Sequence, residues 1–278
     1  MNASAAPVPT SSTRRSRSPV LAPAMALWHR DMVRFWRQRS RVLSSVLSPL
    51  LFWVLLGSGL SGIYVPGTDA EAGPVDYQQY FLPGAVVLSL LFTAIFSTIS
   101  VIEDRREGFL QGVLASPSSR LAIVLGKVLG GATLATVQGA ALLLLWIFVG
   151  DSVSAVAMIE AVGVMVLLAL GLSALGLCVA WPMESTAGFH AIMMLLLWPM
   201  WFLSGAVFPV SAEIVWLRWV MILNPLSYGQ AALMRRVSEG ELDSALPVAT
   251  PVALAIVAAG VIGLLAMATA LVGRAPKK

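Results

Sequence analysis

The sequence predicts an all-α, polytopic membrane protein with six transmembrane helices, and two observations carry that prediction. Hydrophobic residues make up 58% of the 278 residues and charged residues only 12%, whereas an average soluble domain has about 25% charged residues. So few charges cannot cover the surface of a soluble globule, which excludes a soluble enzyme and a disordered chain. The apolar runs do not alternate in polarity, for example at residues 140–145, so they favour helices over β-barrel strands.

Six segments are long and apolar enough to cross a bilayer core of about 30 Å, which needs about 20 residues per helix. The predicted spans are Val42–Ile63, Tyr80–Ile102, Leu121–Val149, Ala155–Trp181, Ala187–Pro209 and Val252–Val272. We therefore expect one transmembrane domain at residues 42–273. Residues 1–23 are predicted to be a disordered cytoplasmic tail, and residues 274–278 are the predicted cytoplasmic C-terminus.

The distribution of Lys and Arg predicts which side of the membrane each connection occupies. Fifteen of the eighteen basic residues lie before the first span, after the second span or at the C-terminus, whereas the loop at residues 64–79 has three acids and no basic residue. Both termini are therefore predicted to be cytoplasmic. Arg218, Arg235 and Arg236 are exceptions, because six spans place the connection between spans five and six outside.

Residues 24–41 predict an amphipathic helix that lies in the cytoplasmic membrane interface. Two sets of residues recur at helical spacing on opposite faces. The aromatic and apolar set is Met25, Trp28, Met32, Phe35 and Trp36, and the basic set is Arg30, Arg34, Arg37 and Arg41. Such a helix can serve only as an anchor to anionic lipids, or it can also form a docking surface for a cytoplasmic partner. The sequence leaves both readings open.

Charged groups are scarce inside the predicted spans, which argues against an ion-coupled carrier or channel, the main alternative to an ATP-driven transporter. Glu160 lies near the outer end of span four, and Lys127 near the cytoplasmic end of span three, where its side chain is expected to snorkel. No phosphate-binding loop is recognisable, so any ATP is expected to be hydrolysed on another chain. One cysteine and two histidines are too few for a metal site.

Residues 103–115 predict a short cytoplasmic helix between spans two and three. Its charges cluster at the start, between Glu103 and Glu107, where acids complement the helix dipole. An apolar stripe follows, and Ser116-Pro117 then suits a cap that opens span three. A helix of this kind can transmit force to a partner or can be a solvated turn, and the pattern alone does not decide between the two.

Glycines in spans three and four predict that neighbouring helices approach closely there. They are Gly130, Gly131, Gly163, Gly171 and Gly176. Small residues allow helix backbones to come together inside a membrane. Packing within the chain or between two copies is therefore expected at these positions.

Two separated stretches resemble the type-2 ABC exporter permeases, which include bacterial drug, polysaccharide and lipid exporters. The first stretch is Glu103-Asp104-Arg105-Arg106-Glu107-Gly108-Phe109-Leu110 followed by residues 114–120. The second comprises residues 202–209, 216–219 and 223–228, together with Arg235. With the layout of spans, the resemblance covers about residues 24–273.

The resemblance implies a half-transporter, in which two copies of this chain assemble with two copies of a separate nucleotide-binding ATPase that carries ATP and Mg. It implies that residues 103–115 form the coupling helix. The residues that would contact the ATPase are Glu103, Asp104, Arg105, Arg106, Glu107, Gly108, Phe109 and Leu110. The helix at residues 24–41 would pack against the same complex, through the face that carries Trp28, Arg30, Arg34, Trp36, Arg37 and Arg41.

The resemblance also implies short external re-entrant helices between spans five and six. Their signature residues are Phe208, Pro209, Asn224, Pro225, Tyr228 and Arg235. Arg236 is expected to be a solvated rim charge, while Trp216, Trp219 and Tyr228 suit an interface belt. The implied function is export of a hydrophobic or amphiphilic substrate across the bacterial cytoplasmic membrane, with lipids but no nucleic acid as further partners and no catalytic residue in this chain.

Overall fold

Every regular element in the described part of the chain is a helix. The computed structural model describes residues 20–37, 39–60, 77–116, 118–149, 153–207, 215–238, 246 and 248–274. The helices are α1 Leu21–Arg37, α2 Arg39–Leu60, α3 Tyr77–Ser97, α4 Ile99–Arg106, α5 Phe109–Ala115, α6 Arg120–Leu143, α7 Trp146–Val149, α8 Ala155–Ala180, α9 Thr186–Phe202, α10 Val215–Leu223, α11 Pro225–Val237 and α12 Thr250–Gly273.

Four helical segments in the described part are long and apolar enough to cross a membrane. They are Tyr77–Arg106, Arg120–Val149, Ala155–Ala180 and Thr250–Gly273, of 30, 30, 26 and 24 residues. They correspond to predicted spans two, three, four and six. Two shorter apolar helices, Leu47–Leu60 and Thr186–Phe202, correspond to spans one and five. The chain is therefore a multi-pass membrane protein, and the count of six spans stays a prediction.

The second predicted span forms the centre of the helical bundle. Residues 80–91 of α3 are all buried, and α3 contacts α2, α6, α8, α9 and α11. In the most apolar stretch of this span 72% of the residues are buried, against 22% for α12. A helix that is apolar all round and buried belongs to the core, whereas α12 lies at the periphery.

Close packing of α3, α6 and α8 depends on two of the predicted glycines. A Cβ atom on Gly131 would lie 2.3 Å from Oγ of Ser97 and 2.7 Å from Oγ of Ser173, and one on Gly176 would lie 3.0 Å from Cα of Ile95. Gly163 is different, because a Cβ atom there would meet nothing within 4 Å. Close approach therefore holds at Gly131 and Gly176 but not at Gly163.

The fifth predicted span is shorter than expected. It was predicted to end at Pro209, but α9 ends at Phe202 and the chain then turns at Gly205, whose φ is +82°. The turn returns residues 203–207 against the start of α3. A Cβ atom on Gly84 of α3 would lie only 2.3 Å from the carbonyl oxygen of Ala206, so the two backbones are in direct contact.

Candidate functional site

Asp104 is the centre of a buried ion cluster at the end of the bundle where α4 ends and α6 begins, called here the charged end. Its side chain is fully buried and accepts hydrogen bonds from three cations. Arg30 donates to both carboxylate oxygens at 3.0 and 2.6 Å, Arg34 donates at 3.2 Å and Lys127 at 2.7 Å. One carboxylate of α4 therefore joins α1 and α6.

Lys127 lies inside this cluster and does not snorkel to the interface, so that expectation is wrong. The residue is only 4% exposed. Its ammonium group donates to both oxygens of Asp31, at 3.1 and 3.0 Å, and to Asp104 and Ser100. The physical reason is that α1 covers this part of α6 and supplies Asp31 as a second carboxylate, so a buried ammonium is paired instead of hydrated.

The docking of α1 on α6 depends on a third glycine. A Cβ atom on Gly126 would lie 2.8 Å from Cβ of Leu27 and 2.9 Å from the carbonyl oxygen of Ala24. Farther along the same contact, the indole N–H of Trp28 donates to the hydroxyl of Thr133 at 3.1 Å. The helix is therefore packed against the transmembrane bundle along its length.

The arginine face of α1 points to α4 and α5, which sequence periodicity alone did not indicate. Arg34 also donates to Glu103 at 2.9 Å and lies 3.6 Å from Glu107. The guanidinium carbon of Arg30 lies 3.8 Å from the centre of the Phe109 ring. Hydrogen bonding to Asp104 raises the pKa of Arg30 above its ordinary value, so its positive charge is fixed.

Other members of the predicted interfacial set lie apart from the cluster. Trp36 is 60% exposed and Arg37 is exposed, whereas the side chain of Arg41 is outside the described residues. The two predicted faces of this helix therefore do not simply contact lipid on one side and the cytosol on the other. Of the four predicted arginines, Arg30 and Arg34 form internal ion pairs.

The predicted helix at residues 103–115 is two helices in the structure. Residues 103–106 are the last turn of α4, and Gly108 then breaks the helix with φ of +77° before α5 begins at Phe109. The acids therefore lie at a helix end and not at a helix start, so their predicted dipole interaction is wrong. The cap of α6 also differs, because Ser119 and not Ser116 accepts the N–H of Ala122, at 3.2 Å.

Arg105 and Arg106 hold a second connection at the charged end, the turn between α8 and α9. Arg105 donates to the carbonyl oxygens of Trp181 and Met183, the latter at 3.0 Å, and Arg106 donates to that of Glu184 at 3.1 Å. Basic side chains at a helix C-terminus satisfy its last carbonyl groups. These acceptors could not be predicted from the sequence, because every residue has a backbone carbonyl group and the sequence does not show which of them an arginine meets.

Part of α5 remains exposed beyond these contacts. Leu110 is buried at 3% exposure against the bundle, and Phe109 is 37% exposed. Gln111, Gly112 and Ala115 are exposed. A Cβ atom on Gly112 would meet nothing within 4 Å. Of the predicted coupling helix, this face of α5 is available to another protein, together with the exposed residues 106–108 that precede it.

Three of the predicted signature residues, Asn224, Pro225 and Tyr228, form a corner between α10 and α11. Asn224 caps α11, and its amide donates to the carbonyl oxygens of Met200 and Leu203 at 2.7 and 3.2 Å, while Pro225 is the first residue of α11. The hydroxyl of Tyr228 donates to the carbonyl oxygen of Ile222 at 2.8 Å. The corner is thus attached to the end of α9.

The aromatic belt expected in this region holds only in part. Tyr228 is buried, at 9% exposure, which contradicts its predicted place in the belt, whereas Trp216 and Trp219 are 66% and 63% exposed. Phe208 and Pro209 lie outside the described residues.

The two adjacent arginines near the end of α11 have different partners. Arg235 donates to the carbonyl oxygens of Leu246 and Val248, the former at 2.8 Å, and so fastens the segment that leads into α12. Arg236 lies 2.7 Å from Glu160 of α8. The side chain of Arg236 is 37% exposed, which is compatible with the predicted solvated rim charge, and α8 in addition presents an acid to it.

A cavity of about 730 Å³ lies beside the ion cluster, between α1, α2, α3, α4, α6 and α9. Four aromatic side chains line one part of it, namely Phe52, Phe92, Phe96 and Trp198. Charged side chains line another part, namely Asp31, Arg34, Glu103 and Lys127. Among the described residues, no group of three or more His, Cys, Asp and Glu side chains could hold a metal ion.

Comparison with known proteins identifies the family. The model of the ABC-2 type transporter family matches residues 24–238. The chain is 30% identical over 191 residues to nodulation protein J of Rhizobium leguminosarum bv. trifolii, covering 67% of this chain and 70% of the relative. It is 25% identical over 220 residues to the daunorubicin resistance ABC transporter permease protein DrrB1 of Streptomyces coeruleorubidus, covering 77% and 74%.

A third relative is the transport permease ycf38 of Cyanophora paradoxa, which is 26% identical over 201 residues, or 72% of this chain and 68% of the relative. The family match spans α1, the ion cluster, α5 and the corner between α10 and α11. The cluster and the exposed helix beside it are thus features of a transport permease. The chain belongs to the ABC-2 type transporter family of membrane proteins.

Proposed function

We propose that this chain is the permease subunit of an ATP-driven exporter. Two copies pair with two copies of a separate ATPase, which binds ATP and Mg, and export a hydrophobic or amphiphilic substrate across the bacterial cytoplasmic membrane. Both termini and the charged end face the cytoplasm, and six helices span the bilayer. The observation that carries the proposal is the exposed helix α5, which stands at the charged end between two connected parts of the bundle.

The first route from α5 leads to α1. Phe109 at the start of α5 lies under the guanidinium group of Arg30, which also binds Asp104 of α4. Because α1 is joined to α4 and α6 by buried charges, a displacement of α5 by a partner moves α1 with it. Buried ion pairs resist separation, since breaking one leaves an uncompensated charge.

The second route leads to α9. Arg105 and Arg106 at the end of α4 bind the carbonyl groups of the turn that precedes α9. Helix α9 carries Trp198, which lines the cavity. The segment next to α5 is thus attached both to the helix that covers the charged end of the cavity and to a helix that forms its wall.

The cavity suits the substrate class proposed here. Its apolar rings can hold an apolar body while its charged end holds a polar group, and its volume of about 730 Å³ lies within the range of ligand pockets, about 300–1,000 Å³. A relative that is named for daunorubicin resistance supports export as the direction of transport.

An ion-coupled carrier is the second candidate, and the structure supplies one observation in its favour. Asp104 and Lys127 are buried charges in two of the long apolar segments, and such charges often serve in ion coupling. Both groups are paired within the cluster, however, which also suits a structural role. Uptake or release driven by an ion gradient in ATP-depleted vesicles would favour the carrier over the ATP-driven exporter.

The test of the proposed function uses the exposed glycine of α5. Gly112→Trp adds a large side chain where a Cβ atom meets nothing within the chain, so the permease itself can fold normally. The variant is purified in mild detergent from the cells that make it, and the ATP hydrolysis that copurifies is measured per mole of permease. We expect a loss of at least about tenfold, because the added ring blocks a docked partner.

Gly273→Trp is the matched control. Gly273 also has open space around its Cβ position and lies at the end of α12 on the same predicted side of the membrane. We expect this variant to retain its copurified ATP hydrolysis. Equal retention by both variants, with normal yield and thermal unfolding, would refute α5 as the ATPase contact.

A further inference from the structure

We propose that the cavity at the charged end selects lipophilic organic cations, namely molecules with an apolar body and a protonated amine, quaternary ammonium or phosphonium centre. The inference rests on the proposed function, because it names the chemical class of the cargo for the cavity assigned there. Three properties of the lining carry it: a connected set of aromatic rings, hydroxyl groups whose protons are already donated, and cations that are already paired.

Four aromatic rings of the lining form one connected series. The ring centres of Phe52 and Trp198 are 5.8 Å apart, those of Trp198 and Phe92 are 5.6 Å apart, and those of Phe92 and Phe96 are 5.6 Å apart. His190 continues the series, since its ring is stacked on Phe96 at 4.3 Å. Aromatic faces carry negative quadrupole density and attract cations, most strongly at desolvated sites.

Two hydroxyl groups of the lining have donated their protons within the protein. Thr93 donates to the side-chain oxygen of Gln138, and Ser97 donates to the carbonyl oxygen of Ala94 at 2.7 Å. A hydroxyl has one proton but two acceptor lone pairs. What these groups still offer to a ligand is therefore acceptor capacity, which an ammonium group can use and a carboxylate or phosphate cannot.

The cations of the lining are likewise engaged. Lys127 has three N–H donors and contacts Asp31, Asp104 and Ser100 with them. Arg34 uses two of its five N–H donors in bonds to Asp104 and Glu103, and its positive charge is paired with three acids. Each carboxylate oxygen has two lone pairs, so the acids of the lining also keep acceptor sites after these bonds are made.

The ion cluster as a whole contains more acids than bases. Its cations are Arg30, Arg34 and Lys127, and its acids are Asp31, Glu103, Asp104 and Glu107. One negative charge is in excess among these ion-paired groups, whereas the four charged side chains that line the cavity, two acids and two bases, balance to zero. A cation in the cavity is therefore attracted by the negative faces of the rings and can approach Asp31 and Glu103, whereas an anion of the same shape meets the negative ring faces.

The experiment compares two probes of the same shape and opposite charge, tetraphenylphosphonium and tetraphenylborate. Equilibrium dialysis measures the binding of each labelled probe to the purified full-length chain, with empty detergent micelles as the blank. We expect the phosphonium ion to bind at least about tenfold more tightly than the borate ion. Equal binding, tighter binding of borate, or no binding of either probe overturns the cation proposal.

Two variants locate the bound cation. Phe92→Leu removes a ring from the lining, and Glu103→Gln removes a lining acid with little change of shape; each is expected to weaken phosphonium binding about threefold to tenfold. The matched controls are Phe148→Leu, at a residue that is 82% exposed on α7, and Glu184→Gln, at an exposed acid. Equal effects of variant and control place the probe outside the cavity and overturn the proposal.

The two proposals fail in different ways. Loss of the charge preference contradicts the cation selectivity but leaves the ATPase contact untouched. Retained ATP hydrolysis by Gly112→Trp contradicts the ATPase contact but leaves the binding preference measurable on the purified chain.

Discussion

The two ends of the helical bundle are held by different kinds of interaction. At the charged end, Asp104 and Lys127 are buried within a cluster of ion pairs that joins α1, α4 and α6. At the opposite end, neutral aromatic donors bind backbone carbonyl groups. Tyr77 donates to Val207 at 3.0 Å, Tyr80 to Gly205 at 3.0 Å, and Trp201 to Gly84 at 2.9 Å.

The two kinds of interaction predict different responses of the two ends to the loss of a single side-chain contact. Neutral hydrogen bonds contribute about 1 kcal/mol each, so the opposite end can lose one and stay assembled. A buried charge cannot lose its partner without a much larger cost. The charged end is therefore expected to move as one unit, which suits a region that receives a displacement from α5.

The largest effect should come from Asp104→Asn, which removes the central charge and keeps the shape. Lys127 then remains buried with less compensation and the partly exposed Arg30 loses its carboxylate partner, and we expect the free energy of unfolding to fall by about 3–5 kcal/mol. Thermal unfolding of the purified chain, followed by tryptophan fluorescence, measures the loss.

Glu107→Gln is the control for this prediction. The side chain of Glu107 is 58% exposed, and its carboxylate lies 3.6 Å from Arg34, so the ion pair is weak. Its loss should cost no more than about 1 kcal/mol. Similar unfolding curves for both variants would show that the cluster is not a buried unit.

Gly84→Ala should have the next largest effect, and it acts at the opposite end. The added Cβ atom would lie 2.3 Å from the carbonyl oxygen of Ala206, so a backbone must move. Overpacking of this kind costs about 1–3 kcal/mol, which the same thermal unfolding measurement detects. Gly163→Ala is the matched control, since its Cβ atom meets nothing within 4 Å; an equal loss in both variants would contradict the close contact between α3 and the turn after α9.

The smallest effect should come from Glu160→Gln, which breaks the pair with Arg236. Both side chains are partly exposed, at 44% and 37%, and exposed pairs contribute about 0–1 kcal/mol. Because salt screens exposed charges more than buried ones, the difference from the native chain should vanish in 1 M salt. A decrease in the free energy of unfolding above about 2 kcal/mol, or one that persists in high salt, would show that this pair behaves like the buried ion pairs of the charged end.

Some features of the candidate site could be predicted because they depend on local pattern. The aromatic and arginine spacing of residues 24–41 predicted one helix there, whereas α1 is Leu21–Arg37 and residues from Arg39 onward belong to α2. The break at Gly108 was not anticipated, because the amphipathic pattern of residues 103–115 runs across it and only the backbone shows φ of +77°. The partners of Arg105 and Arg106 could not be predicted either, since they are main-chain oxygens 76 and 78 residues away.

The sequence by itself determined the class of protein and the positions of the long helices. An apolar segment of membrane length must satisfy its backbone hydrogen bonds internally, so composition and length suffice to identify it. Only the tertiary structure decided how the few charges are used. Arg30 meets Asp104 across 74 residues and Lys127 meets Asp31 across 96, because α1 folds back onto α4 and α6, and the energy of an ion pair depends on burial and distance that no local pattern records.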